Sequence, residues 1–383
     1  MNKPKVVFAY TEAGLGHIMP LNAIYDAFNK KYGDKVECVK CNFYNETNNK
    51  HLIKYENFLI NKVKGFVKSN IIGAVTSFFM ELFGTTISSH ATMKWIAYKS
   101  YKEALKYVSD LKPDVFVSTH WATNFYAENV KDKPITCMYV PDAYINPMFS
   151  YKCDLTLCSM QCGYNKALKK KKRFNKNNLK LVPFCIREEA FSTPVDKTEL
   201  RRELGLNEHK FTITLAEGGY GIGKMEEICD MLINKDLDIT IIPICGKNER
   251  LYNKLKDVKS KGKLEIMPIS YTPHIFKYIS ASNLFVGKSG ASMSAEPCFF
   301  GVPQIITEHA TKIEKDIASY YVKEVKSALD ILVSKKVIEK IEEFVKEPKQ
   351  LEKYIENATK VHQNYGAEKT ADYIYNLLIN KGK

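Results

Sequence analysis

The chain has 383 residues, of which 45% are hydrophobic and 26% charged. Because single hydrophobic cores stop growing at roughly 250 to 300 residues, this length predicts two domains. The composition is that of a globular protein and excludes disordered, collagen-like and coiled-coil chains. The 57 Lys and Arg against 43 Asp and Glu give a net charge of +14. That charge favours phosphate, nucleic acid or an anionic membrane as a ligand without choosing among them.

The ten cysteines suggest a reducing compartment, because no secretory signal opens the sequence and the chain is long. Cys38 and Cys41 form a CxxC, and Cys153, Cys158 and Cys162 lie in a loose cluster. Neither group is accompanied by a second CxxC or an HxxxH. We therefore expect buried thiols rather than a zinc site.

The first half of the chain alternates strand and helix patterns. A strand at Val6 to Tyr10 is followed by a glycine turn, Gly14 to His17, and then by a helical pattern through Leu21, Ile24 and Phe28. Further short apolar segments predict strands at 36–39, 115–117, 136–140 and 155–158. This alternation is typical of a parallel sheet covered by helices.

The same order of elements returns in the second half. A strand at Phe211 to Leu215 precedes the glycine turn Gly218 to Gly223 and a helix at Met225 to Ile233. Further strands are predicted at 239–244, 264–267 and 284–286, and from Ile338 onward the chain reads as helices rich in Lys and Glu. Two such openings half a chain apart predict two Rossmann-like halves.

A polar stretch from Arg187 to Thr198, which contains Pro194, separates the two halves. We therefore predict an N-terminal domain at 1–186 and a C-terminal domain at 187–365. The last segment, 366–383, includes an amphipathic helix that can return to the N-terminal domain.

An amphipathic segment runs from Phe58 to Phe83. Lys62, Lys64 and Lys68 punctuate an apolar series at spacings that leave one helical face apolar and the other basic. This pattern is typical of an interfacial membrane helix and also of a helix packed on its own core. No stretch of the sequence reaches the about 18 apolar residues of a spanning helix.

Both glycine turns join a strand to a helix. Such a turn presents backbone N–H groups and a helix N-terminus to an anion, so phosphate or diphosphate is its natural ligand, although a purely structural turn has the same sequence. Neither turn ends in the Lys-Ser/Thr of a P-loop, and no acidic residue closes a strand at the distance expected for a dinucleotide ribose. ATP hydrolysis and NAD chemistry are therefore disfavoured.

A third group of small residues, Gly287 to Pro297, also opens a helix after a strand. Glu296 lies two turns into that helix, where its carboxylate could accept hydrogen bonds from the two hydroxyls of a ribose. The alternative is an ordinary glutamate facing solvent.

The order of these motifs resembles a known family. Along the chain stand GLGHIMP, KPDVFVSTHWAT, VPDAYINPMF, LVPFCIREEAF, LAEGGYGIGKMEEI, ICGKNERLYNKLK and GKSGASMSAEPCFFGVP. From about Lys5 to about Val322 the series resembles the monogalactosyldiacylglycerol synthase and bacterial diacylglycerol glucosyltransferase group of glycosyltransferase family 28.

The resemblance implies an α/β protein of GT-B fold, with two Rossmann-like domains facing each other across a cleft. It also implies that the C-terminal domain holds a nucleotide-sugar donor and that the N-terminal domain holds a lipid acceptor. The reaction would invert the anomeric carbon, without an essential metal and without a cofactor.

The resemblance also implies roles for single residues. His17 matches the histidine that acts as general base, a role that suits imidazole because it titrates near neutral pH. Gly16 and His120 match positions near the acceptor. In the donor site, Gly218, Gly219 and Gly221 match the loop over the diphosphate, and Tyr271 and Thr272 match the segment that reads uracil. Ser289 and Gly290 match the phosphate-side turn. Glu296 matches the ribose contact, and Glu314 matches the sugar-binding segment.

Two departures from the family pattern affect the donor site. Glu217 stands where the family usually has glycine, and a carboxylate there would repel a diphosphate unless it points away. The segment that normally holds the donor sugar is replaced by Thr311 to Ile317. Only Glu314 survives in it, with Ile313 and Ile317 where glutamine and asparagine are expected.

The sequence therefore favours an inverting hexosyltransferase that moves a sugar from a UDP-sugar to a diacylglycerol-like lipid. We expect it to be cytoplasmic and peripheral at the inner face of the cell membrane, bound to an anionic membrane surface through the segment 58–83, and without nucleic acid as a partner. Two alternatives stay open: a UDP-sugar transferase with another acceptor, such as a polyprenyl-linked precursor or a small natural product, and a non-catalytic GT-B protein that binds a nucleotide or lipid.

Overall fold

A computed structural model describes residues 3–12, 15–47, 49–57, 91, 94–95, 98, 100–145, 153–169, 174–219, 221, 223–258, 262–361 and 366–380. The chain divides into two compact units. Unit 1 comprises Met1–Glu188, Ala310–Ile313 and Asn364–Lys383, and unit 2 comprises Glu189–His309 and Glu314–Gln363.

The sheet of unit 1 has six strands, all parallel, in the order β2-β1-β3-β4-β5-β6. Its strands are β1 (Lys5–Tyr10), β2 (Glu37–Asn42), β3 (Val115–Ser118), β4 (Ile135–Val140), β5 (Leu155–Cys158) and β6 (Leu179–Leu181). Its helices are α1 (Leu15–Tyr32), α2 (Tyr101–Leu111), α3 (Trp121–Asn129) and α4 (Gln161–Leu168), joined by the C-terminal helix of the chain.

The sheet of unit 2 is also parallel, in the order β10-β8-β7-β11-β12-β13, with β9 paired to β8 outside this path. Its strands are β7 (Phe211–Ala216), β8 (Ile239–Gly246), β9 (Glu265–Ile266), β10 (Ile269–Ser270), β11 (Leu284–Lys288), β12 (Gln304–Glu308) and β13 (Ala328–Asp330).

The remaining helices follow in chain order from the boundary between the units. They are α5 (Glu189–Ser192), α6 (Lys197–Glu203), α7 (Met225–Ile233), α8 (Glu249–Lys256), α9 (Ile275–Ala281), α10 (Ala291–Phe299), α11 (Lys312–Ser319), α12 (Ser334–Lys346), α13 (Glu352–Val361) and α14 (Gly366–Ile379). A π-helical turn at Tyr320–Val325 follows α11, and a 3₁₀ turn at Pro348–Leu351 precedes α13.

Helices cover both faces of each sheet, because the strands carry apolar side chains on both faces. In unit 1, Phe8 packs with Phe28 of α1 and Ile374 of α14, whereas Phe116 on the neighbouring strand packs with Phe125 on the opposite face. In unit 2 the two faces hold separate cores, one around α7, α8 and α12 and the other around α6 and α9. Burial of strands on both faces is typical of parallel sheets.

The structure confirms two Rossmann-like halves, but several details differ from the predicted elements. The short strands β6, β10 and β13 were not predicted. β12, a run of five buried or half-buried residues, was not predicted, and the predicted strand 264–267 shrinks to the two-residue β9. Helix α1 already begins at Leu15, so His17 lies on its first turn rather than in the preceding loop. A single glycine costs a helix only about 1 kcal/mol, and Gly16 therefore does not end it.

The described residues include no helix that is both long and apolar enough to cross a membrane. The amphipathic segment 58–83, with Lys62, Lys64 and Lys68, lies outside the residues that the structure describes.

Candidate functional site

Each sheet has one point at which the strand order reverses direction. In unit 1 this point lies between β1 and β3, and in unit 2 it lies between β7 and β11. In open parallel sheets, ligands bind outside the carboxyl ends of the strands at such a point. His17 follows β1 and His120 follows β3, whereas Glu217 follows β7 and Ser289 follows β11. Of the candidate residues, His17, His120 and Ser289 therefore lie at the expected binding position of their unit.

The backbone of Thr119 orients the ring of His17. The Nδ1 atom of His17 lies 2.8 Å from the carbonyl oxygen of Thr119, and the hydroxyl of Thr119 donates to the carbonyl oxygen of His17 at 2.8 Å. A carbonyl oxygen only accepts, so Nδ1 carries the hydrogen and the lone pair is on Nε2. Thr119 is fully buried, which keeps this geometry fixed. The hydrogen bond thus fixes the orientation of the ring and leaves Nε2 as the nitrogen that can accept a proton.

His120 lies against His17 but has a different environment. The two rings meet edge to face with centroids 5.3 Å apart. His120 is the N-cap of α3, and its Nδ1 accepts the N–H of Ala122 at 3.3 Å. Burial, with the nearby charge of His17, lowers the pKa of His120 well below its usual value. His120 therefore stays neutral at physiological pH and caps α3.

Asp142 is a further residue of this cluster that the sequence reasoning did not single out. It follows β4 and is 8% exposed. Burial raises the pKa of Asp142, and the charge of His17 opposes that rise. A carboxylate that interacts with His17 would stabilise the imidazolium formed when His17 takes a proton. The available signal was an acidic residue directly after an apolar strand, in VPDAY.

Gly16 precedes His17 on the first turn of α1. No described atom lies within 4 Å of the position that a Cβ would take at Gly16. The space beside Gly16 is therefore open among the described residues.

The glycine turn of unit 2 is held by backbone hydrogen bonds. The N–H of Gly221 donates to the carbonyl of Gly218 at 3.0 Å, and the carbonyl of Gly219 accepts the N–H of Lys247 at 3.0 Å. Asn248, which the sequence reasoning left without a role, donates from its side chain to the carbonyl of Gly221 at 2.9 Å. Gly218 and Gly221 have φ of +74° and +56°, so glycine suits both positions. These hydrogen bonds fix the backbone at Gly218, Gly219 and Gly221.

Glu217 does not project from the turn but folds beneath it. Its side chain is 2% exposed, and its Oε1 accepts the backbone N–H of Lys224 at 2.6 Å at the start of α7. A Cβ at Gly223 would lie 2.3 Å from its Oε2. Burial raises the pKa of Glu217 to about 7, although hydrogen bonds from the N–H groups of Met225 and Lys224 oppose the rise.

This raised pKa predicts how stability depends on pH. The folded chain holds the proton of Glu217 more tightly than the unfolded chain, so the free energy of unfolding should fall as pH rises from about 4.5 through about 7. In Glu217→Gln this dependence is absent. Between pH 5 and pH 8 we expect the variant to gain about 2 to 3 kcal/mol relative to the natural chain, measured by urea unfolding at each pH. Parallel pH profiles for the two proteins would contradict the assignment.

The start of α10 is the second anion-receptive element of unit 2. Gly290 is its N-cap, and no side chain of the described residues caps the helix. The hydroxyl of Ser292, a residue 9% exposed, has no hydrogen-bond partner among the described residues. Free N–H groups and a buried hydroxyl together suit a phosphate. Ser289 is fully buried, with its N–H bonded to Glu308 and its hydroxyl to the carbonyl of Glu314, at 2.8 and 2.7 Å, so it shapes the turn.

The other donor-site candidates are spread along the carboxyl edge of the sheet in unit 2. Glu296 is in the second turn of α10 and is 8% exposed, so it does not face open solvent. Tyr271 and Thr272 follow β10; Tyr271 is 63% exposed, and the Thr272 hydroxyl accepts the N–H of His274 at 3.1 Å. Glu314 is half-buried in the first turn of α11.

The ten cysteines are free thiols. Among the residues that the structure describes, no group of three or more His, Cys, Asp or Glu is arranged to hold a metal ion. Cys41 is buried, and burial raises the pKa of its thiol to about 12. Such a thiol behaves as a small apolar side chain.

Comparisons with known proteins agree with this architecture. Residues 224–372 match the family model of the glycosyltransferase family 28 C-terminal domain. A probable monogalactosyldiacylglycerol synthase of Nicotiana tabacum is 25% identical over 83% of this chain and 60% of its own length. A processive diacylglycerol beta-glucosyltransferase of Bacillus licheniformis is 22% identical over half of each chain. The chain thus spans about half to three fifths of these relatives.

Two solved structures share the fold across almost the whole chain. MurG of Acinetobacter baumannii superposes with a TM-score of 0.58 at 13% identity, covering 98% of this chain and all of that one. UDP-GlcNAc 2-epimerase from Neisseria meningitidis, bound to UDP-GlcNAc, superposes with a TM-score of 0.61 at 12% identity, covering 99% of this chain and all of that one. The predicted GT-B fold is confirmed. The C-terminal half of the chain is thus similar to glycosyltransferase family 28, the group that its motifs resemble.

Proposed function

We propose that the protein is an inverting glycosyltransferase that moves a hexose from a UDP-sugar to the hydroxyl of a diacylglycerol-like lipid. The observation that carries the proposal is the orientation of His17 by Thr119 at the switch point of the first sheet. The names of the two relatives, which describe synthesis of diacylglycerol glycosides, support the acceptor class. The solved structure bound to UDP-GlcNAc supports the donor class.

Unit 1 would supply the base. A lipid hydroxyl is a weak nucleophile until its proton is removed, and the Nε2 lone pair of His17 can remove it. The hydrogen on Nδ1 stays bonded to the carbonyl of Thr119, so the ring keeps its orientation while it becomes charged. Asp142, whose pKa responds to the charge of His17, would stabilise that imidazolium. The neutral His120 beside it would avoid a second positive charge.

Unit 2 would stabilise the departing UDP. The bond to the anomeric carbon breaks toward the diphosphate, so negative charge develops on the phosphate oxygens. The N-terminus of α10, the hydroxyl of Ser292 and the glycine turn offer hydrogen bonds and the positive end of a helix dipole to that charge. Such groups can stabilise the leaving diphosphate without a metal.

Glu296 would bind the ribose of the donor. We expect Glu296→Ala to weaken UDP binding by about 1 to 3 kcal/mol, because two charge-assisted hydrogen bonds to the ribose hydroxyls are lost. Titration calorimetry with UDP measures the change. Glu352→Ala, which removes an exposed glutamate at the start of α13, is the matched control and should bind UDP normally. If both variants keep the affinity of the natural chain, Glu296 has no part in the donor site.

Membrane attachment would complete the assignment, because a diacylglycerol acceptor lies in a bilayer. In the segment 58–83, the spacing of the lysines and apolar residues in the sequence fits the pattern of an interfacial helix. Together with the net charge of +14, it supports peripheral binding to an anionic membrane, at the cytoplasmic face.

A non-catalytic, nucleotide-binding protein is the second candidate, and the segment Thr311 to Ile317 is the observation that favours it. Ile317 is 1% exposed and Ile313 is 37% exposed. Neither apolar side chain can replace the hydrogen bonds of the glutamine and asparagine that the family pattern has there. This candidate predicts UDP binding without sugar transfer.

Release of UDP tests the two candidates against each other. The protein is incubated with a UDP-hexose, with and without diacylglycerol in vesicles, and free UDP is measured. The enzyme predicts release that requires the lipid. If UDP-glucose, UDP-galactose and UDP-N-acetylglucosamine bind but none gives lipid-dependent release of UDP, the result favours the binding protein. Release only with a polyprenyl phosphate would change the acceptor class.

A further inference from the structure

Glu217 departs from the family pattern at a position that matters for donor charge. It comes directly after β7, and its carboxyl group lies beneath the glycine turn of unit 2. It is 2% exposed, with Oε1 bonded to the N–H of Lys224 at 2.6 Å and Oε2 without a hydrogen-bond partner among the described residues. A half-satisfied buried carboxyl is costly as an anion. The buried position therefore favours the neutral, protonated form of Glu217 over the ionised form.

The charged and titratable groups around Glu217 come from three elements. Lys288 at the end of β11 favours the ionised form, and Glu308 at the end of β12 disfavours it. Cys229 on α7 also interacts with it, but burial raises the pKa of that thiol and keeps it neutral. The amino group of Lys224 is bonded to the carbonyl of Leu332. The effects of Lys288 and Glu308 on the pKa of Glu217 thus oppose each other, and burial is the largest cause of the raised pKa.

The ionised carboxylate of Glu217 and a bound diphosphate would both interact with the partial positive charge at the N-terminus of α7. The N-terminus of α7 carries a partial positive charge that attracts anions, and Oε1 of Glu217 already accepts one of its N–H groups. When Glu217 is ionised, it neutralises this helix end and repels a phosphate placed on the turn at Gly218 to Gly221. When Glu217 is protonated, the repulsion vanishes while the neutral group can still accept the N–H. Burial places the pKa at about 7, so both states are accessible near neutral pH.

We propose that Glu217 couples donor binding to a proton, so that the turn accepts a nucleoside diphosphate with Glu217 neutral and loses affinity when Glu217 ionises. This inference rests on the proposed donor site of unit 2. Glu217 acts here as a positioning residue, since it changes the field and shape of the turn from beneath. The family's glycine at this position would carry no such proton.

The coupling has an expected size. If the neutral form is the binding-competent one, the apparent dissociation constant is divided by the fraction that is neutral. Between pH 7.0 and pH 8.5 we expect UDP affinity of the natural chain to fall about tenfold. Binding at pH 7.5 to 8 should take up protons from the buffer, because the diphosphate holds Glu217 in its neutral form.

The experiment is titration calorimetry with UDP from pH 7.0 to pH 8.5, a range above the titration of the terminal phosphate of UDP near pH 6. Each pH is measured in two buffers of different ionisation enthalpy, which gives the number of protons taken up. Glu217→Gln keeps the shape of the side chain and should bind UDP with little dependence on pH and without the extra proton uptake. The proton count on the natural chain tests the proposal even if this variant does not fold.

The outcomes separate the two levels of the proposal. A tenfold loss of affinity with proton uptake in the natural chain, absent in Glu217→Gln, supports the coupling. Two results overturn the role of Glu217 and leave the donor site standing. The first is UDP binding with the same pH dependence and proton count in both proteins. The second is UDP binding by the natural chain without proton uptake. If neither protein binds UDP at any of these pH values, the donor assignment itself fails and the coupling fails with it.

Discussion

Replacing His17 by alanine should lower turnover by about 10² to 10⁴-fold, the range for loss of a general base. Without the imidazole, nothing at that position removes the proton of the acceptor hydroxyl. UDP binding should stay normal, because the donor is assigned to unit 2. Steady-state UDP release in the presence of diacylglycerol vesicles gives the turnover, and calorimetry gives the UDP affinity.

His209→Ala is the matched control, since His209 is an exposed histidine before β7. It should keep full turnover. Loss of a hydrogen bond to Thr119 could also unfold part of unit 1, so the melting temperature of His17→Ala has to be measured on the same sample. A folded His17→Ala protein with intact turnover would remove His17 from the mechanism. A drop in stability that accounts for the whole loss of activity would make its role structural.

Replacing Gly221 by alanine should disrupt the donor turn. A Cβ at this position would lie 2.3 Å from the carbonyl oxygen of Cys245, and the backbone has φ of +56°. The left-handed conformation and the overpacking together should cost about 2 to 5 kcal/mol of stability, or move the turn instead. A displaced turn should weaken UDP binding at least about tenfold. Urea unfolding and UDP titration measure the two effects.

Gly205→Ala separates the two causes. Gly205 has φ of +69°, but nothing lies within 4 Å of the position of its Cβ. This variant should lose only about 1 kcal/mol of stability, from the left-handed backbone, and should bind UDP normally. Equal UDP affinity for Gly221→Ala and Gly205→Ala would mean that the turn around Gly221 takes no part in donor binding.

The doubly wound fold was predictable because both halves repeat one local pattern. A short apolar strand, a glycine turn and an amphipathic helix occur at Val6 and again at Phe211, and strands buried on both faces read as continuous apolar runs. β12 escaped prediction because five residues bounded by Pro303 and a polar segment carry too little periodicity to be distinguished from a loop.

The position of single candidate residues was predictable where a motif ties them to a strand end. His17 and Glu296 fall in such motifs. The hydrogen bond between His17 and Thr119 was not predictable, because 102 residues separate the two and only the pairing of β1 with β3 brings them together. The direction of Glu217 was not predictable either. A side chain after a strand can point up from the turn or fold beneath it, and the N–H of Lys224 selects the second.

Formation of a glycolipid tests the central claim most directly. The protein is incubated with diacylglycerol vesicles and a UDP-hexose that carries carbon-13 in the sugar, and the lipids are extracted and analysed by mass spectrometry. The account predicts a hexosyl-diacylglycerol that contains the label, formed by the natural chain and lost in His17→Ala. Binding of UDP by a folded protein without any labelled glycolipid from UDP-glucose, UDP-galactose or UDP-N-acetylglucosamine would contradict it.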